Sequence, residues 1–161
     1  MADIKPIHIP NNILLAMYVE ARKVFPHECC GWLEGSATAL KTTIIRPCTN
    51  SQEKGNHPTE SQRSAETAYV IDGKDLLEFN AKLDLENPPL LIYHSHPNGK
   101  AYLSETDRTV ATSPWGDGPA YPVQQLVIGI NDDEIVESVL FAWSDTENGF
   151  IEIKRFVGSN I

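Results

Sequence analysis

Apolar residues recur along this chain with two different periods. Ile13, Leu14, Met17, Tyr18, Ala21 and Val24 keep the three-and-four spacing of one helix face. Pro10 and Asn11 stand where that helix would start, and Pro26 where it must have ended. Ile4, Ile7 and Ile9 ahead of it predict a short opening strand. After it, residues 30–33 predict a strand with a turn beginning at Gly35, and the β-branched run 40–46 (LKTTIIR) predicts another. Residues 75–84 predict a helix with Leu76, Leu77, Phe79 and Leu83 inward. Pro88 and Pro89 break the chain, and 90–94 (LLIYH) is apolar enough for a strand buried on both faces. Ser104 followed by Asp107 marks a helix start in the manner of a capping box. Three further strands are predicted at 125–130, 135–143 and 150–156, joined as antiparallel hairpins.

Two stretches lack a buried period. In residues 49–66 (TNSQEKGNHPTESQRSAE), Ala65 is the only aliphatic side chain, so a surface loop within the domain is expected. Residues 113–122 are rich in Pro and Gly and predict a second loop. A short strand is predicted at 68–71 between the first loop and the second helix. Neither loop divides the chain into parts large enough to fold alone. One domain is expected over residues 1–161, of the α+β class.

Composition narrows the partners. With 13 Lys and Arg against 22 Asp and Glu, the formal charge is −9. That balance argues against a phosphate-backbone binder and against docking on an anionic membrane. Neither nucleic acid nor membrane is expected as a partner. Three cysteines, Cys29, Cys30 and Cys48, make a poor disulfide framework and suit a reducing compartment. The first ten residues lack the basic start and apolar run of a signal peptide, so a cytoplasmic location is expected. Cys29 and Cys30 are expected as small buried hydrophobes, and Trp32, Trp115 and Trp143 as core or rim aromatics.

The chemistry concentrates in YHSHPNGKAYLSETD, residues 93–107. His94 and His96 stand two apart, so on a strand both imidazoles point to one side. Pro97 ends the strand at once. Asp107, on the next predicted helix, could fold back as a third ligand. Two neutral nitrogens, one carboxylate and an open fourth position make a catalytic zinc set. Other zinc signatures fail here. HExxH begins at His27 and Glu28, but Gly31 stands where the second His belongs. A deaminase needs HxE, which is absent, and a PCxxC that Pro47 and Cys48 begin but Ser51 and Gln52 do not complete. A chain of 161 residues is too short for a TIM barrel, which excludes the barrel hydrolases that use HxH.

The pattern H-x-H-P-x6-S-x-x-D, at His94, His96, Pro97, Ser104 and Asp107, resembles the signature of the JAMM (MPN-plus) zinc metalloproteases. The upstream glutamate of that signature matches Glu28 in PHECCGWLEG. The resemblance covers roughly residues 8–156. It implies a curved mixed sheet flanked by helices, three layers in the α/β/α manner and similar to cytidine deaminases. It also implies Zn2+ as cofactor, held by His94, His96 and Asp107, with Glu28 as the base that moves the proton of the attacking water. Glu34 is a weaker rival for that role, and His27 a minor candidate for a supporting contact. Ser104 has two readings: the cap of its helix, or a hydrogen-bond donor to the oxyanion of the reaction. The resemblance favours the second.

Relatives of this kind act on ubiquitin and ubiquitin-like proteins, by trimming or by deconjugation. The stretches ECCGWL and YHSHPNGKAYLSETD are similar to small bacterial-type members. The expected reaction is hydrolysis of a peptide or isopeptide bond at the extended C-terminal tail of a ubiquitin-like, sulfur-carrier-type protein. A deconjugating isopeptidase of a bacterial ubiquitin-like or antiviral system, a zinc hydrolase of small amides and a non-catalytic MPN scaffold are the alternatives. The loops at 49–66 and 113–122, with Trp115, are expected to border the substrate groove.

Overall fold

A computed structural model describes residues 4–50 and 71–161. Its elements are, in chain order, α1 (Asn11–Val24), β1 (Cys30–Ser36), β2 (Lys41–Cys48), α2 (Gly73–Lys82), β3 (Pro89–His96), α3 (Glu105–Ala111), β4 (Gln124–Ile130), β5 (Ile135–Ser144) and β6 (Gly149–Ser159). The strands form one six-stranded sheet in the order β2-β1-β3-β4-β5-β6. All neighbours are antiparallel except β3 and β4, so the sheet is mixed and the class is α+β. A parallel pair needs a crossover. Here the crossover runs through residues 97–123 and carries α3.

Alternation along the strands assigns the two faces. Leu33, Leu91, Tyr93, Leu126 and Ile128 pack with Ile13, Met17, Tyr18 and Ala21 of α1. Trp32, Ile92 and Val123 turn the other way and pack on Phe79 of α2. Val127, Val139 and Phe141 meet Ala111 of α3 on that same second face. Helices therefore cover both faces, with α1 alone on one and α2 and α3 on the other. The second face also takes His94 and His96, which alternate with Tyr93 and Ser95 along β3.

Local chemistry explains the departures from the pattern-based expectations. The opening strand is not formed. Residues 4–9 make one bridge, in which the His8 N–H donates to the Leu40 carbonyl at 2.7 Å and the His8 carbonyl accepts from Thr42 at 3.0 Å. Pro6 and Pro10 have no N–H to extend it. Gly35 lies inside β1 instead of beginning a turn, because it pairs with Thr42 of β2, so closely that a side chain there would meet the Lys41 carbonyl at 2.0 Å. The second helix starts two residues early, capped by the Asp72 carboxylate accepting from the Lys74 N–H at 3.3 Å. Its expected inward Leu77 is 74% exposed, and Phe79 alone is buried. Ion pairs add to its attachment. The buried Glu34 accepts from Trp32 Nε1 at 2.8 Å and pairs with Lys82 at 2.8 Å. Arg46 pairs with Asp75 at 2.9 Å and with Glu78 at 3.0 Å. Most of the strand expected at 68–71 and most of the loop expected at 49–66, with His57, lie outside the described residues; Ile71 is described and forms a single antiparallel bridge with Asn50.

Candidate metal centre

The end of β3 delivers the two histidines. β3 is flanked by β1 and β4, and all of its residues are buried, so His94 and His96 sit on rigid backbone. Pro97 has no N–H for the ladder, and the strand stops at His96. Asp107 arrives from α3. Ser104 is the N-cap of that helix and forms a full capping box with Asp107. The Ser104 hydroxyl accepts from the Asp107 N–H at 3.1 Å, and Asp107 Oδ2 accepts from the Ser104 N–H at 3.0 Å. Glutamate is the usual partner in this box. The shorter aspartate keeps its carboxylate close to the helix start, where the histidines are.

Three atoms converge as a result. His94 Nε2 and His96 Nε2 are 3.2 Å apart, and Asp107 Oδ2 lies 3.1 Å and 3.0 Å from them. A carboxylate oxygen of Glu28 and one ring nitrogen of each histidine lie within 4.8 Å of one another. His94, His96 and Glu28 are buried, at 0%, 6% and 4% exposure, and the Asp107 side chain is 9% exposed. Burial pushes the pKa of His94 down, against the pull of Asp107. Burial works against the charge of Asp107, but the two rings beside it outweigh that and hold its carboxyl well below the usual range.

The donor set fits a metal ion. His96 Nδ1 lies 3.1 Å from the Lys100 carbonyl, which can only accept, so Nδ1 carries the proton. In a neutral ring, Nε2 then turns a lone pair toward an ionised carboxylate oxygen 3.0 Å away. Acceptors facing each other at that distance require a shared cation. One proton satisfies a single pair, whereas a metal ion satisfies all three atoms. Ligand atoms around tetrahedral zinc lie about 3.3–3.5 Å apart for bonds of about 2.0–2.2 Å, close to the spacing here. The His2Asp set, with hard and borderline donors and no thiolate, suits zinc.

The Glu34 carboxylate is engaged by Trp32 and Lys82. Cys29 and Cys30 are buried, and burial raises the pKa of both thiols. Trp32 is core, Trp143 packs edge-on against Phe150, and Trp115 is 84% exposed. Trp115 lines an open groove with Val110, Ser113 and Tyr121, along the helix that carries Asp107.

Three supporting contacts were not legible in the pattern of residues. Asn50 Nδ2 donates to the Glu28 carbonyl at 3.0 Å. Ser95 Oγ accepts from the Cys29 N–H at 2.8 Å, so side chains from two other segments hold the peptide that follows Glu28. Tyr102, half-exposed, packs edge-on against the His96 ring at 4.9 Å. The only signal for Ser95 was its place between His94 and His96, on the opposite face of β3. Asn50 sat unmarked among the polar residues of an expected loop.

The family described as prokaryotic homologs of the JAB domain matches residues 10–142. Proteins named CysO-cysteine peptidase, from Mycobacterium bovis and Mycobacterium tuberculosis, are 33% identical over 104 residues. That match takes in 64% of this chain and 64% of theirs, less than two thirds of those relatives' length. The fold is similar to a solution structure from Desulfitobacterium hafniense, with a TM-score of 0.62 and 19% identity over 91% of this chain and 89% of that one. It is also similar to a JAB1/MPN domain protein of Archaeoglobus fulgidus, with a TM-score of 0.51 and 12% identity over 91% and 96%.

Proposed function

The chain belongs to the family of prokaryotic homologs of the JAB domain, and from that premise we propose that it is a zinc-dependent peptidase acting on the C-terminal tail of a sulfur-carrier protein. The observation that carries the zinc reading is the meeting of His94 Nε2, His96 Nε2 and Asp107 Oδ2 within 3.2 Å. The substrate class rests on the relatives named CysO-cysteine peptidase. Their name implies a carrier protein joined to cysteine, and an extended tail of that kind can reach a buried site.

His94, His96 and Asp107 would hold the ion. When bound there, zinc would supply Lewis acidity and lower the pKa of water to about 7. Glu28 accepts the proton of the attacking water on its carboxylate and returns it to the leaving amine. A carboxylate outside the ligand set keeps the basicity this requires. Ser104 Oγ already accepts from Asp107 N–H, and that bond leaves the hydroxyl proton for the substrate oxygen as it gains negative charge. Its two readings are therefore compatible.

The test is a cleavage assay on a carrier–cysteine conjugate, read by mass, beside metal analysis of the same samples. Glu28→Gln is expected to retain zinc and lose about 10²–10⁴-fold in turnover, the range of general acid–base catalysis. His96→Ala is expected to lose zinc and turnover together. Full activity of Glu28→Gln would remove the base from the mechanism, and full activity after chelation would remove the metal.

A further inference from the structure

The contact that fixes the His96 ring comes from the loop after β3, and the loop reaches it only because of two glycines. His96 and Gly129 are direct partners in the parallel ladder between β3 and β4. The missing Cβ of Gly129 therefore lies on the face that His96 occupies. A Cβ built there would stand 2.6 Å from the Gly99 carbonyl oxygen, 2.8 Å from its carbon and 3.1 Å from the Ala101 N. All three contacts are with backbone, which has little freedom to yield. Gly99 itself holds φ +80°, a conformation that side chains disfavour. Between Gly99 and Ala101 stands Lys100, whose carbonyl accepts from His96 Nδ1 at 3.1 Å. The loop after β3 thus lies directly on β4, pressed against Gly129.

We propose that Gly129 and Gly99 are positioning residues for the site: they hold the Lys100 carbonyl against His96 Nδ1 and so keep Nε2, unprotonated, aimed at the other ligand atoms. The inference deepens the zinc reading above and rests on it for its consequence, metal affinity. An imidazole free to exchange tautomers would present a proton to the metal side for part of the time. Outer contacts of this kind typically change metal affinity 10–100-fold.

Nitrogen-15 correlation spectra of the histidine rings test this directly in metal-free protein at mildly alkaline pH. The wild-type His96 ring is expected in the form protonated at Nδ1. Gly129→Ala is expected to show a mixture of the two forms and to bind zinc 10–100-fold more weakly in competition with a chelating dye. Gly99→Ala serves as the second variant, because its Cβ would meet nothing closer than Val136 Cγ2 at 3.5 Å and acts only through the strained φ. It is expected to change the His96 spectrum in the same direction. A folded Gly129→Ala or Gly99→Ala protein with the wild-type ring spectrum overturns the inference. Wild-type protein that takes up no zinc overturns the metal reading instead, and the ring spectra still decide the positioning role.

Discussion

Glu20 on α1 turns its carboxyl to the hydroxyl of Tyr93, the residue before the first histidine, and the tyrosine O–H donates to it. Burial raises the Glu20 pKa to about 7, with the Tyr93 bond and Lys23 acting in the opposite direction. A carboxyl raised on folding contributes stability in its protonated form. That contribution is complete below the ordinary value of 4.5 and disappears as pH rises through about 7. Glu20→Gln keeps an acceptor for Tyr93 and removes the charge. It is expected to match wild type in acid and to exceed it by about 1–3 kcal/mol above pH about 7, since each tenfold change in proton affinity is worth about 1.4 kcal/mol. Denaturant unfolding at two pH values measures the difference, and equal stability at both would place Glu20 in contact with solvent. The convergence of the histidine pair was legible at this scale, because a two-residue spacing on a strand already fixes a shared face, and Asp107 was marked by the helix start at Ser104. Glu28 needed the family resemblance, since an isolated glutamate after a helix carries no signal of its own. Asn50 and Ser95 were hidden for another reason: their bonds to backbone at residues 28 and 29 span distant parts of the chain.

Elements with a strong internal period were read well, and those fixed by long-range partners were not. Ile13, Met17 and Ala21 face the core as the helical spacing requires, and β3 is as buried as its apolar run implies. Leu77 follows the same kind of period in α2 yet faces out, because α2 is fastened by Phe79 and by ion pairs to Arg46 and Glu34. Residues 4–9 alternate like a strand, but proline leaves them one bridge. The shortest helix, α3, depends most on its cap, since seven residues cannot sustain a helix alone. Ser104→Ala is expected to cost about 1 kcal/mol of stability through the cap. If its hydroxyl also serves the oxyanion, zinc-saturated turnover falls by about 10²–10³-fold. A loss of stability with unchanged saturated turnover would confine Ser104 to the cap.

Across the whole molecule, the proposed ligands join the end of β3 to the start of α3, with Glu28 contributed from ahead of β1. A cation bound by the native arrangement and not by the unfolded chain must stabilise the fold, by about 2.7 kcal/mol at a hundred times its dissociation constant. Zinc is therefore expected to raise the melting temperature of wild type and of Glu28→Gln, and not of His96→Ala. Calorimetry with and without a chelator reads this, and an equal rise in His96→Ala would place the ion elsewhere. Under the proposed function, a charge of −9 would give no long-range attraction to a carrier that is itself acidic, so docking of such a carrier would depend on short-range contacts such as the groove beside Trp115. Among the described residues no helix is long and apolar enough to cross a membrane.

The lone parallel pair in the sheet has a practical consequence. β3 and β4 cannot be joined by a tight turn, so the chain must leave the sheet and return, and it does so past the proposed ligands. On that excursion, between α3 and β4, stands Gly116, at φ +71° with open space where a side chain would be. Foreign sequence grafted at Gly116 would extend from the rim of the groove without altering strand register or the 94–107 segment. Under the proposed function, the same site could then be redirected to a chosen tail by exchanging one surface segment.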